Sequence, residues 1–398
     1  MDINLQRKVD RLAGAFICRI LSLWPFKGGR RPPGRPEKIL VILLSEMGSL
    51  VLAYPMFQLL KERYPGASIH LLQFRQNREI LDLMEVIPPE NIHTLDNRSI
   101  RDFVLDCTGV MVRLRSIGFD AVIDCELFAR ISSIFSFFSG AAIRSGFHPY
   151  TQEGLYRGSH INRPVMYNPY RHISEQFITL ADALESRTVP VAKRRVEPVP
   201  EVPPISFSES EIQGAERRLY RRFPGVKEKK LVLLYPSGGL LPIRAWPVDY
   251  YCRLAAMLLE GGHAVGIIGM KQDRETAGRI TGYCKDHHCI DLTGYTGSVR
   301  ELLMLFHVAD LLITNDGGPG QFAALAPIPS IVFYGPETPV LYGSLSTKTF
   351  SFHLPISCSP CLTAYNHRNS PCDGDNQCLK QILPEAVYAK AREYLGTS

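Results

Sequence analysis

No stretch of the chain is long and apolar enough to cross a membrane; none approaches the roughly 18 uncharged apolar residues that a spanning helix needs. There is no basic bias over the body either. The net charge is +6, from 45 Lys and Arg against 39 Asp and Glu, but residues 1–38 alone hold nine basic and three acidic side chains. Everything after residue 38 therefore sums to zero, which argues against nucleic acid as a partner. No small-x-small cleavage site follows the first apolar segment, and Arg19 interrupts that segment, so a secretory signal peptide is a poor fit. Ten cysteines in 398 residues are too dilute for a small disulfide scaffold. With 45% hydrophobic and 21% charged residues the chain is not disordered, and its length predicts two or three domains.

The positive charge belongs to an N-terminal arm, residues 1–37. Leu5, Val9, Leu12, Phe16, Ile20 and Leu23 recur at three- or four-residue steps, one face of a helix. Ile17, Leu21 and Trp24 widen that face, Pro25 ends it, and a basic run from Lys27 to Lys38 follows. This pattern predicts an interfacial helix with its apolar side in the lipid boundary and its cations near anionic headgroups. The alternative is a helix packed on the protein's own body.

Beyond the arm, short apolar runs alternate with helical patterns. Residues 39–44, 68–74 and 120–124 read as strands buried on both faces, with helices at 50–64 and 78–84. Between about 186 and 205, five prolines stand among Val, Lys and Arg without periodicity, as in a semi-rigid linker. The pattern then restarts, with strands at 231–234, 264–268, 311–314 and 330–333 and helices at 248–260, 299–307 and 385–394. Alternation of this kind predicts an α/β chain of two doubly wound parallel sheets. The expected division is 38–186, a linker and leading helix at 187–229, and 230–398.

The strongest chemical signal is Asn315-Asp316-Gly317-Gly318-Pro319-Gly320-Gln321, directly after a strand. Its glycines let the backbone approach a ligand closely, the following helix offers free N–H groups, and Asp316 suits sugar hydroxyls. A second loop, Pro236-Ser237-Gly238-Gly239, leads to Arg244-Ala245-Trp246-Pro247. Ser237 and the Gly238 amide suit phosphate oxygens, and Arg244 can neutralise them in a bidentate manner. Trp246 reads as a packing residue. Glu275, beyond Gly269-Met270-Lys271, is placed to bind ribose hydroxyls.

These residues resemble glycosyltransferase family 9, the family of the ADP-heptose:lipopolysaccharide heptosyltransferases. Members carry a proline-glycine loop leading to a basic residue and Trp-Pro, then Asn-Asp-Thr-Gly-Pro-Met-His, then an apolar strand and Phe-Gly-Pro-Thr. The corresponding stretches here are Pro236–Pro247, Asn315–Gln321 and 332–338, with looser matches at Ile39–Pro55, Phe119–Arg130 and Arg144–Phe147. The resemblance covers about residues 38–395. It implies a GT-B fold, two Rossmann-like domains facing a cleft, with the donor nucleotide-sugar on the C-terminal domain and the acceptor on the N-terminal one. It also implies inversion at the anomeric carbon without a metal, and an ADP-sugar as donor, with no other cofactor.

Three departures from the family pattern bear on chemistry. Arg244 stands where relatives usually carry Lys, and Gln321 stands in place of His. The first loop, usually Ser-Ser-x-Gly-Asp with the Asp as expected general base, reads Ser45-Glu46-Met47-Gly48-Ser49. Serine is too weak a base for that role unaided. Glu46, in the same loop, and Glu126, where relatives usually have Gln, are the candidate replacements, with Glu126 preferred as a gained carboxylate. Arg130 is expected to orient Glu126 or bind an acceptor anion. Gly48, Ser49, Arg130 and His172 are assigned to the acceptor side, together with the loop-rich stretch 147–172 that holds His148, Tyr150, Tyr156, Arg157 and His160.

Cys358, Cys361, Cys372 and Cys378 have a spacing that zinc can use. The resemblance implies such cysteines without a catalytic metal, and thiols without metal are the expectation. The whole predicts an inverting glycosyltransferase, peripheral at the inner face of the cytoplasmic membrane, acting on a lipid-linked glycan such as lipopolysaccharide core. Two other readings are a catalytically degenerate binding protein and a GT-B sugar epimerase.

Overall fold

The structure is a computed structural model that describes residues 8–23, 34–44, 46–127, 129–147, 157–186, 198–364 and 369–396. Leu5, Trp24, Lys27 to Arg31, Ser45, His148, Tyr150, Tyr156 and most of the proline-rich linker lie outside these residues.

The chain divides into two compact units, the first ending at Pro200 and the second beginning at Glu201; only the short stretch Thr363–Asn369 groups with the first. The first unit holds a six-stranded sheet: β1 (Lys38–Ile42), β2 (Ser68–Phe74), β3 (Ile92–Leu95), β4 (Ala121–Asp124), β5 (Ile143–Phe147) and β6 (Arg163–Val165). Its order is β3-β2-β1-β4-β5-β6 and every pairing is parallel. The second unit repeats this with β7 (Leu231–Tyr235), β8 (Ala264–Gly269), β9 (Cys289–Thr293), β10 (Leu311–Asn315), β11 (Ser330–Tyr334) and β12 (Thr349–His353). Its order, β12-β11-β10-β7-β8-β9, is the same topology traced from the other edge. Each sheet reverses its winding beside its first strand, between β1 and β4 and between β7 and β10. In doubly wound sheets that switch point, at the strands' carboxyl ends, is where ligands bind.

The strands form where expected because a parallel sheet covered on both faces selects continuous apolar runs. Ile39 to Ile42 and Leu231 to Leu234 are all buried. The helix expected over 50–64 is two helices, Met47–Leu52 and Tyr54–Arg63. Pro55 stands in the first turn of the second, where its missing N–H costs nothing, so the chain restarts there rather than continuing. The described end of the linker, residues 198–207, carries no helix or strand. It is tied down by Val202 N–H to Leu345 O and Ile205 N–H to Leu325 O.

The arm is helical through Leu23 and packs on the first unit with its apolar side outward. Asp10, Gly14, Cys18 and Ser22, four residues apart, face the protein, and Cys18 is fully buried. Leu12, Phe16 and Leu23 are 74%, 65% and 84% exposed, with Ile20 between them. Of the two alternatives for the arm, the structure shows the packed one: the arm lies on the body by its small and polar face.

Beneath β2 and β3 lies a buried imidazole pair. His70 Nδ1 is 3.1 Å from His93 Nε2, and Ser68 Oγ is 3.0 Å from His70 Nε2. Burial, then the charges of His70 and Arg113, pushes His93 down to about 4. Folded His93 thus stays neutral down to about pH 4, whereas the unfolded chain protonates it near 6.5. Its contribution to stability is whole above pH 6.5 and is lost as the pH falls towards 4. In urea melts, His93→Gln is expected to remove ~2 kcal/mol of the stability difference between pH 7 and pH 4.5. An unchanged pH slope would refute this account of the pair.

Candidate active site

Both switch points are bridged by a single buried side chain. In the first unit, β1 ends at Ile42 and the chain turns through Leu44 towards Glu46. Glu126, two residues past β4 and 2% exposed, accepts the Leu44 N–H at 2.6 Å through Oε1. Its own N–H donates to Asp124 Oδ1 at 3.1 Å. Glu126 therefore ties the loop after β4 to the loop after β1. Glu46 is exposed and stands at the N-cap of Met47–Leu52, while its carbonyl accepts the Ser49 N–H at 2.9 Å. Gly48 is buried and Ser49 half-buried in that helix.

The remaining acceptor-side candidates are held in the unit's own framework. Arg130 is buried and ion-paired with Asp10. His172 caps the helix Ile173–Asp182, its Nδ1 accepting the Ser174 N–H at 3.3 Å. Arg157 and His160 are not on an acceptor-side surface. Arg157 Nη2 lies 2.5 Å from Asp124 Oδ2, with both side chains buried, and its Nε donates to Ala129 O. His160 Nε2 is 2.8 Å from Ser133 Oγ, and burial pushes its imidazole down to about 4. Asp124, excluded from water, needs a buried cation, and the nearest arginine supplies it.

In the second unit the bridging side chain is Asn315, fully buried at the end of β10. Its Oδ1 accepts the Trp246 N–H at 2.9 Å and faces the Tyr251 hydroxyl at 3.1 Å. Its Nδ2 donates to Ser237 O at 3.1 Å and Tyr235 O at 3.4 Å. An asparagine amide has two donors and two acceptor positions; both donors and one acceptor position are taken by backbone groups, and the Tyr251 hydroxyl, shared with Tyr235 O at 3.0 Å, faces the other. Asn315 thus fastens the Ser237 loop and the Arg244–Trp246 segment to β10 rather than offering itself to a ligand. Trp246 is a packing residue, its Nε1 donating to Ile382 O at 2.9 Å.

The Ser237 turn admits only glycine at its second position: a Cβ on Gly238 would stand 2.7 Å from Leu241 O and 2.9 Å from Pro242 Cα. Gly239 has φ +60°, the left-handed region, and its N–H donates to Ser237 Oγ at 3.2 Å. This turn brings Arg244 back beside β10. There Arg244, buried, has Nε 3.6 Å from Asp316 Oδ2 and Nη2 3.0 Å from Glu337 Oε1. Asp316 N–H donates to Phe333 O at 3.0 Å, and Gly317, Gly318 and Pro319 carry the chain into the short helix Gly318–Phe322. Gln321, buried, donates Nε2 to Tyr342 O at 2.8 Å. Glu275 is exposed in the first turn of Arg274–Cys284, beyond the end of β8.

Sequence reasoning placed Arg244 and Asp316 in the donor region but missed Glu337, the second carboxylate on that guanidinium. Its signal was a charge immediately after an apolar strand and Gly-Pro, at the fourth place of the Phe-Gly-Pro-Thr pattern. Among the described residues, Asp286, His287 and His288 bring ligand-type atoms within 4.8 Å of one another. That arrangement is an Asx turn, with the His288 N–H on Asp286 Oδ1 at 2.8 Å. The four clustered cysteines form no such group. Cys361 Sγ accepts from Ser370 Oγ, Cys372 is exposed, and burial pushes the Cys378 thiol up to about 11.

Asn315→Asp keeps the acceptors but turns an anion on the carbonyls of Tyr235 and Ser237. We expect a loss of about 3 kcal/mol, read as a fall of roughly 6–12 °C in Tm. A variant melting like wild type would show that the amide is not the fastening.

The family described as glycosyltransferase family 9 (heptosyltransferase) matches residues 109–370. The chain is 24% identical to lipooligosaccharide heptosyltransferase 2 of Haemophilus ducreyi, over 80% of this chain and 88% of that protein. It is 24% identical to lipopolysaccharide heptosyltransferase 2 of Escherichia coli K12, over 88% of this chain and 96% of that one. The solved structure of E. coli ADP-heptose lps heptosyltransferase II superposes with a TM-score of 0.69 at 21% identity, covering 90% of this chain and 98% of that one. The fold is thus that of the GT-B heptosyltransferases.

Proposed function

The chain belongs to glycosyltransferase family 9, and from that premise we propose that this glycosyltransferase moves a heptose-like sugar from an ADP-sugar to a lipid-linked glycan of the lipopolysaccharide-core type. The second unit carries the donor and the first the acceptor. The observation that carries the reading is Arg244, buried and fixed between Asp316 and Glu337 beside the Ser237 turn. A buried guanidinium at a switch point is the charge that a leaving diphosphate requires. Asp316 suits the sugar hydroxyls and Glu275 the ribose.

The transfer proceeds with inversion and without a metal in the step. The acceptor hydroxyl oxygen forms the new bond to the anomeric carbon as the bond from that carbon to the diphosphate oxygen breaks. The hydroxyl proton passes to a carboxylate, and ADP leaves with the electron pair, its charge met by Arg244. Of the two candidate bases, the geometry favours Glu46. It is exposed in the loop that carries the base in relatives, whereas Glu126 is buried with one oxygen engaged by Leu44. Glu126 is the brace that holds that loop.

The test is turnover of an ADP-sugar with lipid-linked acceptor. Glu46→Gln is expected to lower kcat by about 10²–10⁴-fold while ADP binding is kept, and Glu126→Gln, whose amide oxygen still accepts from Leu44, far less. The reverse order would make Glu126 the base.

The arm fits an anionic lipid surface. Lys8, Arg11 and Arg19 are exposed alongside the outward apolar stripe, the charge complement of such a surface. No helix among the described residues is long and apolar enough to cross a membrane. We therefore place the enzyme as a peripheral protein at the cytoplasmic face of the inner membrane. Wild type is expected to sediment with phosphatidylglycerol vesicles more than with phosphatidylcholine vesicles. The Leu12→Glu, Phe16→Glu double variant is expected to bind at least about tenfold more weakly. Equal sedimentation of variant and wild type would remove the arm from membrane binding.

A further inference from the structure

Near its described start the arm meets the first unit through a carboxylate. Asp10 Oδ1 accepts the backbone N–H of Arg130 at 2.8 Å and of Ile131 at 3.2 Å, and Asp10 Oδ2 lies 3.3 Å from Arg130 Nη1. Those amides open the helix Ile131–Phe138, whose own N-cap residue, Arg130, supplies no side-chain cap. The first N–H groups of a helix have no partner within it, so a carboxylate there is worth about 1 kcal/mol. This one arrives from the arm, remote in sequence. Gly14, one turn on from Asp10, permits the approach: a Cβ there would stand 3.0 Å from Arg130 Cβ. At the arm's other end, Ser22 Oγ accepts the Ser159 N–H at 3.1 Å.

The helix that Asp10 caps follows the loop that begins at the end of β4. Glu126 holds one end of that loop, through Leu44 N–H, and Asp10 holds the other. The same loop receives Arg157 Nε at Ala129 O, 3.0 Å, from beneath.

We propose that Asp10 is a positioning residue of the transfer reaction: by clamping Arg130 and capping the helix after it, the arm fixes the Glu126 loop and, through Leu44, the loop bearing Glu46. This rests on the reading of the first unit as the acceptor half. The arm is then a working part of the acceptor site, not a detachable anchor, and its outward apolar stripe and its clamp lie on one continuous helical segment, π-helical at Asp10–Gly14 and α-helical over Ala15–Leu23. Asp10 does not touch substrate; it acts through Arg130 and the loop.

The test uses the full-length chain with Asp10→Ala and Asp10→Asn, and a glycan acceptor freed of its lipid so that membrane attachment plays no part. Asp10→Ala is expected to lower kcat by about tenfold or more, as a misplaced catalytic loop does, with KM for the ADP-sugar unchanged. Asp10→Asn, whose amide oxygen still caps the helix, is expected to recover most of that loss. Amide hydrogen exchange at Arg130 and Ile131 is expected to speed roughly fivefold in Asp10→Ala, the equivalent of a lost cap, with β7 to β12 unaffected. Wild-type kcat in Asp10→Ala, equal losses in the two variants, or a matching rise in donor KM would each overturn the proposal. Unchanged exchange at Arg130 and Ile131 would remove the clamp itself. A wild-type protein that consumes no ADP-sugar while the exchange result holds would instead fail the transferase reading on which the proposal rests.

Discussion

The amide of Asn315 is the fastening on which the second unit's site depends. At a switch point two adjacent parallel strands send their chains to opposite faces, and the backbone groups just past their ends lose the ladder that satisfied them. One buried amide meets three backbone groups, Trp246 N–H, Tyr235 O and Ser237 O, and faces the Tyr251 hydroxyl as well. The Ser237 turn, Trp246 and Arg244 take their places from that junction. The first unit solves the same problem with a carboxylate, Glu126 on Leu44 N–H. A carboxylate accepts but does not donate, so that bridge is weaker in kind, and the loops around it draw on Asp10 and Arg157 for support.

This difference tracks the charge inside each unit. The second unit keeps a guanidinium between two carboxylates, all three buried. The first unit places two buried arginines in structural pairs, Arg157 with Asp124 and Arg130 with Asp10. Arg144 donates through Nε to His160 O and through Nη1 to Ala141 O, and burial lowers it to about 10. Breaking such a pair leaves an uncompensated buried charge, which costs far more than the pair itself contributes.

What was legible in the sequence follows from locality. Strands covered on both faces read as apolar runs, and β2 spans Ser68–Phe74, the range its pattern marks. Loops with glycine between a strand and a helix stood out for the same reason. β5, Ile-Arg-Ser-Gly-Phe, did not, because its buried Arg144 is satisfied by backbone carbonyls from elsewhere. The long helix Ile100–Ile117 does carry an apolar stripe, Phe103, Cys107, Val110, Met111, Leu114 and Ile117, but the exposed Val104, Leu105 and Val112 on its outer face blur the pattern. Arg157, His160 and Glu337 gain their meaning from partners distant in the chain, Asp124, Ser133 and Arg244. The arm's periodicity was plain, but which face it would turn inward was not. A helix whose small and polar residues dock, leaving leucine and phenylalanine outside, reverses the rule for a water-facing surface.

The helix Pro384–Leu395 carries a temporal consequence. Val387, Ala391 and Leu395 lie in one core with Trp246, Tyr251 and β7, and Trp246 donates to Ile382 just before that helix. The first unit's sheet is complete once β6 has been made, whereas the second unit lacks a wall of its core until residue 395 clears the ribosome. Domains fold in the order of their synthesis. Late in translation, the growing chain therefore holds a complete first sheet and an arm with bare leucines while the second core still waits for the helix Pro384–Leu395 to cover it.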